Sequence, residues 1–129
     1  MHKTKSAFSG YAVKDVEAAR RFYSDTLGMD ATVDQMGMLD LKLGNGASVM
    51  IYPKPDHQPA TFTVLNLVVD NIDDAVDHLT AEGVTFEQYD MPEIKTDAKG
   101  ISRDASGQGP SAIAWFTDPS GNIISLIQE

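Results

Sequence analysis

The 129-residue chain repeats itself. The stretch "VKDVEAARRFY" (13–23) lies over "VDNIDDAVDHL" (69–79). Val13 meets Val69, Asp15 meets Asn71, Val16 meets Ile72, Glu17 meets Asp73 and Ala19 meets Ala75, all at an offset of 56. Further on, "NGASVMIY" (45–52) lies over "SGNIISLI" (120–127), with Gly46 on Gly121 and Val49 on Ile124 at an offset of 75. A repeat of this kind restricts the fold strongly, because each copy must form the same supersecondary unit.

The unit can be read from its punctuation. In the first copy "SAFSGYAV" (6–13) predicts a strand. Asp15 then caps a helix that carries Val16, Ala19, Tyr23 and Leu27 at helical spacing and stops at Gly28. Strands follow at 31–36, 38–43 and 47–52, the last two joined by a hairpin turn over "GNG" (44–46). "PKPDHQP" (53–59) is a proline-rich linker. In the second copy a strand at 62–69 leads to a helix capped by Asn71 and closed by Gly83, with Ile72, Ala75, Val76 and Leu79 on one face. A strand at 84–89, a polar loop over 92–110, and strands at 111–117 and 123–128 around the turn "DPSGN" complete it.

Each half therefore reads βαβββ. The expected class is α+β: two tandem βαβββ modules forming a curved, trough-like mixed sheet with helices on the convex side. They make one domain, 1–129, with module one at 5–52, a linker at 53–60 and module two at 61–129. One helix covers one face of a four-stranded sheet, so the other face must be buried elsewhere or hold a ligand.

Composition excludes several functions. Nineteen acidic against ten basic residues leave a net charge of −9, the wrong sign for the cationic footprint that nucleic-acid binding needs. There is no cysteine, so neither disulfides nor thiolate metal sites are available. The longest apolar runs are strand-sized, short of the roughly 20 residues of a membrane span, and the N-terminus shows no apolar leader. The expected location is cytoplasmic, with no membrane partner.

The segments "VKDVEAARRFYSDTLGM" (13–29), "VVDNIDDAVDHLTAEGV" (68–84) and "AWFTDPSGNIISLIQ" (114–128) resemble the vicinal oxygen chelate superfamily, which includes glyoxalase I, extradiol dioxygenases and bleomycin or fosfomycin resistance proteins. With the repeat, the resemblance spans nearly the whole chain; "KTDAKGI" (95–101) is similar to a small subgroup of it. In metal-dependent members the resemblance implies one ligand from the first and one from the last strand of each module, supplied by His, Glu or Gln. The corresponding positions here are Phe8, Met50, Val64 and Ser125, none of which is such a residue. The three histidines, His2, His57 and His78, have no metal-site spacing. The expectation is no metal and no cofactor, a small organic ligand of apolar or aromatic character, and a homodimer as in relatives that complete their troughs across subunits.

Alternation along each strand extends the trough face from these anchors. It adds Gly10 beside Phe8, Ser48 and Tyr52 beside Met50, Phe62 and Asn66 beside Val64, and Ile123 and Ile127 beside Ser125. In 38–43 the leucines should face the helix, and Met38, Asp40 and Lys42 the trough. Trp115 and Phe116 alternate, so one of them faces in. The candidate ligand-binding residues are Phe8, Asp40, Met50, Tyr52, Val64, Asn66, Trp115 and Ser125. The loop at 92–110 has the length of a lid, and its Lys95, Lys99 and Arg103 are candidate anion contacts. Two other readings stay open. One is a lyase, isomerase or dioxygenase-like enzyme with a non-standard metal site, or a metal-free acid–base catalyst using Asp40, Glu87 or Tyr52. The other is a structural dimer whose trough is filled by its own side chains.

Overall fold

Strand pairing follows the repeat. The structure is a computed structural model that describes residues 3–104 and 109–129. His2 and loop residues 105–108 lie outside the described residues. The chain divides into two compact units, Met1–Pro59 and Ala60–Glu129.

The first unit runs β1 (Ser9–Val13), α1 (Val16–Arg21), β2 (Asp30–Val33), β3 (Leu39–Lys42) and β4 (Ser48–Pro53). Its sheet has the order β1-β4-β3-β2, with β1 parallel to β4 and the other pairs antiparallel. The Asp15 side chain accepts a hydrogen bond from Ala18 N and so satisfies one of the free amides of the first helical turn. After α1 the chain widens into a π-helical stretch, Phe22–Thr26, and leaves through Gly28 at φ 71°. The widened turn was not legible in the periodicity. Val13, Leu39, Leu41, Val49 and Ile51 are buried, as are Ala19 and Tyr23 on the helical segment. Leucine and isoleucine in such positions stabilise by roughly 1.5–3 kcal/mol each. Asp40, Lys42, Met50 and Ser48 fall on the opposite face, as alternation requires.

The second unit runs β5 (Thr63–Val68), α2 (Ile72–Ala81), β6 (Ile101–Arg103), β7 (Ala112–Thr117) and β8 (Ile123–Gln128). Its order, β5-β8-β7-β6, reproduces that of the first unit. Two tandem βαβββ modules of an α+β protein are thus present, each with an open, four-stranded sheet. Asn71 accepts from Asp74 N at the start of α2. A second amide there, that of Ile72, donates to Gln128 Oε1 at 2.9 Å, so the end of the last strand caps the helix. Leu65, Ala112, Ala114, Phe116, Ile124 and Leu126 are buried with Ile72, Val76 and Leu79.

The segment 84–89, expected as a strand, is not one. It touches the sheet only through a bridge between Phe86 and Phe116 and a hydrogen bond from Glu87 N to Trp115 O. The place beside β7 is shared with β6, a three-residue strand inside the stretch expected to be loop. The reason is local. The Asp97 carboxylate accepts from Lys99 N and Ile101 N, turning the chain back towards β7. Gly100, at φ 89°, brings its backbone directly onto Phe86. The "DPSGN" turn was legible: Asp118 accepts from Ser120 N, Asn122 N and Asn122 Nδ2, and Gly121 takes φ 85°. Among the described residues no helix is long and apolar enough to cross a membrane.

Candidate functional site

In the second unit, parallel pairing of β5 with β8 sets Asn66 against Ser125, and antiparallel pairing of β8 with β7 sets Ser125 against Trp115. The three side chains therefore form a row on the face that α2 does not cover. Ser125 is fully buried, and its hydroxyl donates to Asn66 Oδ1 at 2.5 Å. Asn66 itself is exposed. On the other side of the row, Tyr89 meets Trp115 edge to face, with ring centroids 5.4 Å apart. Sequence reasoning missed Tyr89 as part of this row, because it follows the bridge at Phe86 rather than a strand with a readable register. Val68 stands exposed on the same unit, while Ile123 and Ile127 flank Ser125 along β8.

Val64 is not in this row. The register changes between Thr63, paired with Ile123, and Leu65, paired with Ile124, so a β-bulge falls at Val64. A bulge adds one residue to one strand and breaks simple alternation. Stepping by two from Val64 to Phe62 crosses that irregularity, and Phe62 is exposed.

In the first unit, Gly10, Met50, Asp40 and Thr32 are successive register partners across β1, β4, β3 and β2. Phe8, Asp40 and Met50 line one open depression of about 380 Å³, together with Thr32, Asp34 and Ser48. Phe8 precedes β1 and is largely exposed. Tyr52 lies two residues along β4 from Met50 and is part-exposed, opposite Ala12. Asp40 is 3.3 Å from Lys42 Nζ. An ion pair this exposed contributes little to stability, and it leaves the carboxylate on the rim of an otherwise mixed surface. Gly10 makes a close approach here: a methyl group on it would sit 3.0 Å from the Met50 carbonyl oxygen, so the β1–β4 pair would have to give slightly.

The repeat and the register agree. Gly10 pairs with Met50 in the first unit and Asn66 with Ser125 in the second. These are the same two positions under offsets of 56 and 75. Where one unit has a bare backbone beside a thioether, the other has an amide bonded to a hydroxyl.

The residues at the expected ligand positions do not fit a metal ion. Phe8 and Val64 carry no donor atom, Met50 is a soft thioether, and the Ser125 proton is committed to Asn66. Among the described residues no group of three His, Cys, Asp or Glu is placed to hold a metal.

Two of the three basic residues named in the long loop, Lys99 and Arg103, are taken up by α2, while Lys95 sits in a backbone bridge with Asp90. Lys99 Nζ lies 2.9 Å from Asp77 and 3.2 Å from Asp73, and Arg103 lies 2.8 Å from Asp73. They strap the loop to α2. The Asp73 carboxyl is held below its ordinary value by hydrogen bonds from Lys99 and then Arg103. Lys99 is raised, first by its bond with Asp77.

A family model described as Glyoxalase/Bleomycin resistance protein/Dioxygenase superfamily matches residues 7–126. Among solved structures, an antibiotic binding protein from Streptomyces sp. CB03234, TnmS3, is 26% identical over 98% of both chains, with a TM-score of 0.64. A superfamily member from Sphaerobacter thermophilus is 24% identical over 96% of this chain and 98% of that one, with a TM-score of 0.66. The fosfomycin resistance protein FosX from Listeria monocytogenes shares the fold at 14% identity and a TM-score of 0.71, over 99% of this chain and 95% of that one. The comparison with curated proteins found no match. The chain belongs to the Glyoxalase/Bleomycin resistance protein/Dioxygenase superfamily.

Proposed function

We propose that this protein binds an apolar or aromatic small molecule on its open sheet faces, without a resident metal, in a resistance-type sequestration role. The observation that carries this reading is Ser125. At a last-strand position where the family resemblance implies a metal ligand, the side chain is a buried hydroxyl whose proton goes to Asn66. Beside it stands Trp115, half-buried and in contact with Tyr89, which offers a large aromatic surface to a ligand. The relative with 26% identity is an antibiotic binding protein, which supports binding rather than turnover. The binding residues are Phe8, Asp40, Met50 and Tyr52 on one unit and Asn66 and Trp115 on the other, with Ser125 buried behind Asn66 to position it and Val64 at the edge of the set.

The reading includes a cytoplasmic homodimer, acting as one domain of residues 1–129 with modules at 5–52 and 61–129 joined by the linker at 53–60. A net charge of −9 opposes nucleic acid as a partner.

Two measurements test it. Trp115 is the only tryptophan in the chain, so its fluorescence reports on the site without a label. Saturable quenching by a naphthyl probe is expected, and its absence across a panel of aromatic probes would remove the reading. Native mass spectrometry of untagged protein is expected to give a dimer mass without metal. One transition metal ion per chain would return a metal-dependent enzyme to first place.

A further inference from the structure

The hydrogen bond between Ser125 and Asn66 has a direction, and the direction selects a ligand. Ser125 is fully buried on β8, and Asn66 Oδ1, at 2.5 Å, is its partner. Two orientations of the amide are chemically conceivable. In one, Asn66 Oδ1 accepts the serine proton. In the other, Asn66 Nδ2 faces the serine oxygen and donates to it. The second leaves the serine O–H buried with nothing to accept it among the described residues, and an unmet buried donor is penalised. The first leaves only unfilled lone pairs on the serine oxygen, which is tolerated more readily. Ser125 therefore fixes the amide with its oxygen inward.

The consequence is at the surface. With Oδ1 turned inward onto Ser125, the exposed Asn66 presents the two donors of its NH₂ group to the surface. No hydrogen bond from this group is made among the described residues. Across the row, Trp115 brings an indole whose only hydrogen-bonding group is also a donor. Its register, Trp115 opposite Ser125 opposite Asn66, keeps the aromatic surface and the amide on one face.

Resting on the binding role proposed above, we infer that the open face of the second unit takes aromatic ligands that carry a hydrogen-bond acceptor, a carbonyl or ether oxygen, placed over Asn66 while the ring lies against Trp115. Ser125 is the positioning residue: it touches no ligand and sets the polarity of the group that does. A ligand whose polar group is a donor meets the NH₂ end of the amide and leaves those protons unpaired.

The test uses two probes of matched shape, 2-acetylnaphthalene and 2-isopropenylnaphthalene, which differ in the carbonyl oxygen. Each is titrated into the full-length protein and followed by Trp115 fluorescence. The wild-type protein is expected to bind the ketone about three- to ten-fold more tightly, the range for one net hydrogen bond. Asn66→Asp, which removes the amide donors at constant size, is expected to abolish that preference, read as the ratio of the two affinities in the same protein. Ser125→Ala, which frees the amide to turn, is expected to lower the ratio of ketone to hydrocarbon affinity. A merely structural serine would weaken both probes equally.

Equal affinities in the wild-type protein would overturn the inference and leave the binding role standing. That comparison needs no variant to fold. A ketone preference that survives in a folded Asn66→Asp protein, checked by circular dichroism, would place the acceptor contact elsewhere and also overturn it. If neither probe nor any other aromatic compound quenches Trp115, the binding role itself fails.

Discussion

Gly100 shows how closely the second unit is fitted together at a single residue. Its φ is 89°, and a methyl group built on it would lie 2.8 Å from Phe86 Cβ and 3.1 Å from Glu87 O. Gly46 has a similar φ of 85° with nothing within 4 Å. Alanine at Gly46 meets only the left-handed backbone penalty, about 1 kcal/mol. Alanine at Gly100 meets that penalty and a collision with Phe86, whose backbone is tied to Phe116. Urea unfolding is expected to show a loss of about 2–4 kcal/mol for Gly100→Ala and about 1 kcal/mol for Gly46→Ala. Equal losses would mean that the 84–89 segment yields. Phe116 lies beneath, fully buried with Phe86 at 5.5 Å, so Phe116→Ala is expected to cost about 3–5 kcal/mol in the same measurement. At this scale the sequence shows residue types more clearly than partners. Asn66 and Ser125 each stand out as polar interruptions in an apolar strand. Their bond depends on β5 and β8 lying side by side, which no local pattern encodes.

At the scale of elements, legibility tracks local chemistry. Asp15 and Asn71 cap where an N-cap residue should, and Gly28 and Gly83 end their helices with φ of 71° and 97°, because caps are decided within four residues. The edge beside β7 is not decided locally. The segment 84–89 has strand-like residues but keeps only the Phe86 bridge and shares the edge with β6, which is held by the Asp97 turn and by ion pairs with α2. Those pairs carry a pH dependence of known sign. Asp73 has its carboxyl below the ordinary 3.8, so its contribution is full above that value and is lost as pH falls through the lower folded-state value. Lys99 is raised above 10.5, so its contribution is full below that value and is lost as pH rises through the higher one. The strap should therefore be protected on a plateau between these limits. Amides in 97–103 are expected to exchange about two- to five-fold faster in Asp73→Asn than in wild type at pH 7, the range for an exposed pair. The two proteins should converge in acid below the ordinary carboxylate range. A variant indistinguishable from wild type at pH 7 would show that the Asp73 pairs add nothing to the hold on β6.

At the scale of the whole molecule two electrostatic effects oppose each other, and salt separates them. Nineteen acidic residues against ten basic ones leave −9, and Asp73, Asp74 and Asp77 sit together on α2. Repulsion summed over such a chain acts across many ångströms and favours expansion. The attractive pairs act at contact: Lys54 to Asp56 at 2.6 Å, Arg20 to Glu17 at 2.7 Å, Lys99 to Asp77 at 2.9 Å. The screening length falls from about 30 Å at 0.01 M salt to about 8 Å at 0.15 M. That change removes most long-range repulsion and only part of each contact pair, which is already weak because it is exposed. Repulsion should lose more. Moving from 0.01 to 0.15 M sodium chloride is thus expected to raise Tm, by roughly 3–5 °C for each 1 kcal/mol of repulsion relieved in a chain of this size. Differential scanning calorimetry reads the result directly. A Tm that falls with salt would mean that the contact pairs, the strap on α2 foremost, outweigh the net charge, and Asp73→Asn would then remove much of the salt dependence.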